Sequence, residues 1–227
     1  MANNVLKKRI GFYQENRFLI MLIALFGLML LQPLISYFVD IQFLSNLFLS
    51  LIFLSGIFAI SIKKHHPIIA TLISLPFLIL MWLSHFVDIG GYENIKSFFG
   101  MLFLLYMIIL LLNHIFRQDE VTKEVIFGAL VVYLLMGLMW SFGYDLVDSL
   151  IPGSFKYPEN FSKLSNNLLT YFSFVTLTTL GYGDITPVSP PALAMAITQA
   201  ITGQIYLTVL IAQLVGIKIA QQMRKKN

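Results

Sequence analysis

Six apolar runs decide what this chain can fold into. They cover residues 18–39, 43–62, 68–87, 97–116, 125–144 and 192–219, each close to the roughly 20 residues a helix needs to cross a bilayer. In hydrocarbon no water satisfies the backbone, so every N–H and C=O must bond within the chain, and a helix does this locally. The expectation is an all-α membrane protein with six transmembrane helices. Composition supports it: 58% of the 227 residues are hydrophobic and 11% charged, where soluble domains carry about 25% charged residues. Pro33 and Pro76 fall inside the first and third runs, where neighbouring helices make a kink tolerable. The first run follows a basic segment with Lys7, Lys8, Arg9 and Arg17. It is longer than the roughly 7–15 residues of a signal-peptide core, so it reads as a retained anchor.

Charges between the runs set the orientation, because Lys and Arg accumulate on the cytoplasmic side. One side collects Lys7, Lys8, Arg9, Arg17, Lys63, Lys64, Arg117, Lys123, Lys218, Arg224, Lys225 and Lys226, which is 12 of the 15 basic residues. The other holds Lys96, Lys156 and Lys163 with seven of the eleven acids: Asp40, Asp88, Glu93, Asp145, Asp148, Glu159 and Asp184. Both termini are therefore expected in the cytoplasm, in a multi-pass protein of the cell membrane, with the long connection between the fifth and sixth runs outside. The formal charge of +4 and pI near 9.2 follow from that topology; no basic stripe with interleaved aromatics points to nucleic acid. With no cysteine, disulfides, thiolate metal sites and cysteine nucleophiles are excluded together.

The outer connection is not plain linker throughout. Residues 165–179 read SNNLLTYFSFVTLTT, apolar but too short to cross, as in a re-entrant helix. Ser165 or Asn166 stands where an N-cap would be, and the helix would point the negative end of its dipole inward. Thr178-Thr179-Leu180-Gly181-Tyr182-Gly183-Asp184 follows directly, and Pro187, Pro190 and Pro191 then end the stretch and open the last helix. Two glycines around a tyrosine let a backbone run extended with its carbonyls turned to one side, which makes cation ligands without charge. Non-helical backbone at membrane depth is permitted where it is buried in protein or lines a wet cavity. Between Asp145 and Lys163, the Pro152, Gly153 and Pro158 segment reads as an exposed turret loop. Asn160-Phe161-Ser162 inside it fits a glycosylation sequon, a pattern short enough to arise by chance.

This order resembles the potassium-channel pore family, whose filter reads Thr-Val-Gly-Tyr-Gly; Leu180 replaces the valine. The resemblance spans about the last hundred residues and implies a pore domain over 125–219 made of outer helix, re-entrant pore helix, extended selectivity-filter loop and inner helix. Residues 1–17 and 220–227 would be cytoplasmic segments, and 18–116 a four-helix transmembrane domain. It implies that the carbonyls of Thr179, Leu180, Gly181, Tyr182 and Gly183 line the pore, with K+ held at Thr179 to Tyr182 and the Thr179 hydroxyl as innermost ligand. Thr178 and Asp184 match the flanking support positions. Gly203 stands where the inner helix of this family often bends, although a mid-helix glycine also serves close packing. One chain supplies one filter strand, so a homotetramer with its pore on the axis follows, with potassium as permeant ion and no other cofactor. Val175 departs from channels that place a carboxylate behind the filter. Tyr171-Phe172 occupy the site of a bracing aromatic pair, and the Tyr171 hydroxyl, which needs a partner when buried, is expected to bond towards Asp184.

Six spans resemble the voltage-gated branch, but the fourth run contains no Lys or Arg before Arg117. Moving one charge through 100 mV is worth about 2.3 kcal/mol and steep gating takes about 3–4 charges per subunit, so little or no intrinsic voltage dependence is expected. The chain ends shortly after the last run, which leaves gating to the filter, the inner helices, lipids, tension or a separate partner. His65 and His66 in the basic turn read as headgroup contacts, and Asn113 and His114 as hydrogen-bonding to a neighbouring helix. His85 and Asp88 could share a proton or be solvated at the interface. Gln199, Gln204 and Gln213 are costly towards lipid, so some face a cavity or another helix; Gln204, Leu207 and Ile211 share the spacing of cavity-lining positions. Lys218, Arg224, Lys225 and Lys226 are placed to meet anionic cytoplasmic lipids. The rival readings are a non-conducting accessory channel subunit and a cation transporter. The latter predicts inverted repeats, and no second segment resembles 165–184. No arrangement of serine, histidine and acid, and no phosphate-cradling loop, points to an enzyme.

Overall fold

The computed structural model describes residues 17–35, 41–59, 66–84, 92–158 and 168–226. Helix accounts for 85% of it. Four helices come first: α1 (Arg17–Leu31), whose last turn Gly27–Leu31 is a π-helix continued by Gln32–Ile35, α2 (Ile41–Ala59), α3 (His66–Leu83) and α4 (Tyr92–Phe116). The long α5 (Lys123–Leu150) leads to a short strand β1 (Phe155–Lys156). The short helix α6 (Leu168–Leu177), strand β2 (Thr186–Pro187) and α7 (Pro190–Lys226) complete the chain. Among the described residues, four helices are long and apolar enough to cross a membrane: His66–Leu83, Glu93–Phe116, Lys123–Leu150 and Pro190–Arg224. Arg17–Leu31 and Gln42–Ile57 are apolar but shorter among the described residues.

The helix starts follow from local chemistry. Thr122 caps α5 by accepting the Val125 amide on Oγ1 at 3.3 Å. Ser189 precedes Pro190, a residue that fits the first helical turn because its missing N–H would have no partner there. The Ser189 hydroxyl and carbonyl take the Ala192 and Leu193 amides at 3.4 and 3.0 Å.

The core sits where α4 and α5 pack together. Phe53 of α2 stacks between Phe77 of α3 and Phe103 of α4, at ring separations of 4.4 and 4.1 Å, and Phe77 meets Phe142 of α5 edge-on. Polar side chains inside this apolar set bond across helices: Asn46 Nδ2 donates to the Met81 carbonyl and Trp82 Nε1 to Ser50 Oγ, both at 3.1 Å. At one end, Arg17 of α1 pairs with Glu124 of α5 at 2.6 Å and lies 3.3 Å from His114 of α4. His114 thus has the interhelical partner expected of it. His66, expected at lipid headgroups, instead lies 2.9 Å from the Tyr106 hydroxyl of α4.

The segment after Tyr144 is exposed over residues 149–153, as expected of a turret, but it is not loop throughout. Helix α5 continues through Asp145 and Asp148 to Leu150, and the chain then turns at Gly153, whose φ of 82° suits glycine. Asp148 fixes the turn, accepting the Ser154 amide at 3.1 Å and the Tyr157 hydroxyl at 3.0 Å. Phe155 is 4% exposed, edge-on to both Tyr144 and Phe172, which is why this stretch is held down. β1 pairs antiparallel with β2, Phe155 opposite Pro187 and Lys156 opposite Thr186. Lys7, Lys8, Arg9, Asp40, Lys63, Lys64 and His65 lie outside the described residues, as do His85, Asp88, the sequon at Asn160, Lys163 and the Ser165 or Asn166 cap.

Candidate functional site

Helix α6 is held by its neighbours on two sides. Towards α5, Ser173 Oγ donates to the Gly137 carbonyl at 2.6 Å and Ser141 bonds Thr170 at 2.7 Å. A Cβ on Gly137 would fall 2.4 Å from the Phe174 ring, so the missing side chain is what lets α6 sit so close. Towards α7, Gln199 Nε2 donates to both the carbonyl and the hydroxyl oxygen of Ser173, at 3.0 and 2.8 Å. The Gln199 carbonyl oxygen accepts from the buried Tyr144 hydroxyl. Every polar group in this set is paired, as burial away from water demands. Gln199 therefore faces a helix, while Gln213 reaches the Phe116 carbonyl at 3.4 Å.

The C-terminus of α6 opens directly into residues 178–184. The Leu180 amide reaches back to the Val175 carbonyl at 3.0 Å and the Thr179 amide to Thr176 at 3.0 Å, a left-handed helix ending of the kind usually made by glycine. Here the left-handed residue is Thr179, with φ of 58°, the one non-glycine with positive φ among the described residues. A β-branched residue in this conformation costs about 1–3 kcal/mol unless its surroundings hold it. Gly181 and Gly183 follow with φ of 60° and 78°. The sign of φ therefore alternates from Thr179 to Gly183. A Cβ on either glycine would meet nothing within 4 Å, so glycine is required there for conformation and not for space.

Tyr171 braces the C-terminal part of this stretch. Its hydroxyl donates to Asp184 Oδ2 at 2.5 Å, the bond expected from the sequence, and its ring stacks on Tyr182 with an interplanar angle of 7°. Asp184 Oδ1 also accepts the Ile185 amide at 2.9 Å. The Tyr171 hydroxyl does most to hold the Asp184 carboxyl below the usual carboxylate range; burial pushes the other way, and the Ile185 amide adds to the lowering. Phe172, the other half of the aromatic pair, points away into the cluster with Tyr144 and Phe155. Val175 is buried and serves through its carbonyl. Thr178 returns its hydroxyl to the Phe174 carbonyl at 2.7 Å.

Helix α7 runs unbroken through Gly203. A Cβ there would lie 2.8 Å from the Leu177 carbonyl oxygen, so the glycine permits α7 to pass against the end of α6. Gln204, one residue on, donates from Nε2 to Thr179 Oγ1 at 3.2 Å. Gln204 and Ile211 are exposed, whereas Leu207 is half-buried against the core. Among the described residues no group of three or more His, Cys, Asp or Glu is placed to hold a metal ion.

Residues 121–219, which take in α5, α6, the 178–184 stretch and most of α7, match a family described as ion channel. Over these residues the chain is similar to the ion-channel family. The match begins next to Thr122, the cap of α5, and its extent agrees with the potassium-channel pore resemblance read from the motif. No curated protein matches the chain, and no solved structure does. Within the matched region, no motif in the sequence marks Ser173, Tyr144 and Gly137, which hold α6 in place. The one signal available in the sequence was the cost of a glutamine at position 199 inside an apolar run.

Proposed function

We propose that this protein is a potassium-selective channel in which four copies surround an axis and conduct passively through a ring of backbone carbonyls. The observation that carries the proposal is the alternating sign of φ from Thr179 to Gly183. In an ordinary strand successive carbonyls point to opposite sides. Alternating right- and left-handed residues turn successive peptide planes the same way, gathering the N–H groups on one face and the carbonyls on the other. Potassium exchanges hydration oxygens for carbonyl oxygens there, and several sites in single file let ions displace one another. In this reading Thr179, Leu180, Gly181, Tyr182 and Gly183 form the filter and α6 is the re-entrant pore helix, with six spans in all and both termini in the cytoplasm.

Exposure supports the tetramer. Residues 178–183 are all exposed in the single chain, Leu180 at 56% and Tyr182 at 66%. Along α7, Ile197, Ile201 and Ile205 form a stripe at intervals of four that is more than half exposed. Half of the α5 span is buried within the chain but 17% of the α7 span, so α7 is the helix that needs neighbours from other copies. Lys218 and Arg224 at its end suit anionic lipid headgroups.

The test is potassium flux from liposomes containing the purified protein, compared with Gly181→Ala. At φ of 60° alanine cannot hold the conformation without strain, so the variant is expected to lose flux while still assembling. Undiminished flux through Gly181→Ala would overturn the assignment of the filter.

A further inference from the structure

We infer that Gln204 is a positioning residue for the innermost ion layer: its carboxamide fixes the Thr179 hydroxyl and thereby tightens discrimination between potassium and sodium. The inference rests on the channel reading above and adds to it a residue outside the filter motif.

Three observations converge. Thr179 is the left-handed non-glycine of the stretch, so something other than its own preference must hold it. Its backbone is held by the bond to Thr176 and by the Leu180 bond to Val175. Its side chain is held from α7, by Gln204 Nε2 at 3.2 Å from Oγ1. The second observation is that Gln204 itself has little slack. On its N-terminal side Gln199 is bonded twice to Ser173 and Gly203 lies against the Leu177 carbonyl. On its C-terminal side Tyr206 donates to the Ala129 carbonyl at 2.6 Å. Helix α7 is thus registered against both α6 and α5 around this one position. The third is chemical economy. Gln204 is exposed on an apolar helix, and the side-chain bond it makes is to Thr179.

The consequence follows from what a hydroxyl can do. It offers two lone pairs and one proton. With one lone pair taken by the carboxamide, the oxygen cannot swing freely about χ1, and the lone pair that faces a permeating ion keeps its distance from the axis. An oxygen that cannot follow the ion favours the ion it was placed for. Freed from Gln204, it relaxes around a smaller ion at less cost.

The experiment compares K+/Na+ permeability ratios of the reconstituted full-length protein with Gln204→Met, a side chain of similar length with no donor. The ratio is expected to fall about two- to tenfold, the range of a single hydrogen bond. The same substitution on Thr179→Val, which lacks the hydroxyl, is expected to change nothing further, because residues acting through one contact are non-additive. A second readout does not depend on conduction: the 13Cβ resonance of Thr179, which reports its rotamer, should move in Gln204→Met while that of Ser173 stays. An unchanged ratio, an undiminished effect in Thr179→Val or an unmoved Thr179 resonance would each overturn the inference alone. Wild-type protein that passes no potassium would overturn the channel reading as well.

Discussion

Tyr171 and Asp184 show how single side chains hold one end of the 178–184 stretch, the proposed filter. The hydroxyl–carboxylate bond at 2.5 Å depresses the Asp184 pKa. A carboxyl depressed in the folded protein adds stability that is fully present above its unfolded value, and that stability is lost as pH falls through the lowered folded value. Tyr171→Phe removes the largest cause, so Asp184 should titrate closer to an ordinary carboxylate and protonate at higher pH than in the wild type. Following the Asp184 carboxyl carbon by NMR across acid pH would check this; coincident curves for the two proteins would contradict it. This bond was legible in the sequence, because a tyrosine on a half-length apolar helix needs a partner and Asp184 follows the motif. Thr179 was less so. The resemblance implies a ligand role for it, which stays a proposal, but does not imply its left-handed φ, because the residue usually found at such a helix ending is glycine.

At the level of elements, α6 is positioned by contacts distant in sequence. Gln199 meets Tyr144 and Ser173, residues on two other helices that no local pattern joins. Replacing Gln199 with leucine leaves the Tyr144 hydroxyl, which is 0% exposed, without its acceptor. An unsatisfied buried group costs about 1–3 kcal/mol, so Gln199→Leu should lower the thermal unfolding temperature of the purified protein. An unchanged midpoint would mean the network contributes nothing to holding α6. The helices themselves were legible from apolar runs, since their length is imposed by the bilayer. Their ends were not: α5 passes Tyr144 because Asp145 and Asp148 are accommodated in its last turns, and Asp148 is occupied with Ser154 and Tyr157. The pairing of β1 with β2 joins residues on either side of α6, and Phe155 was hidden in a segment rich in glycine and proline.

For the whole molecule, the α1–α4 block packs on α5 through α4, and Arg17 ties α1 to the start of α5 through Glu124. Helix α4 has no Lys or Arg from Ser97 to Phe116. With each gating charge worth about 2.3 kcal/mol per 100 mV, the block has little on which a membrane potential can act there. Open probability should therefore change little with voltage, and a conductance–voltage curve with a slope of several charges per subunit would contradict this. The central claim is that residues 179–183 of four copies form a ring of carbonyls that passes potassium and rejects sodium. Its most direct test is the reversal potential of the reconstituted protein in a planar bilayer with potassium on one side and sodium on the other. The account predicts a large displacement from zero towards the potassium equilibrium potential; a reversal potential near zero, with both ions carried equally, would contradict it.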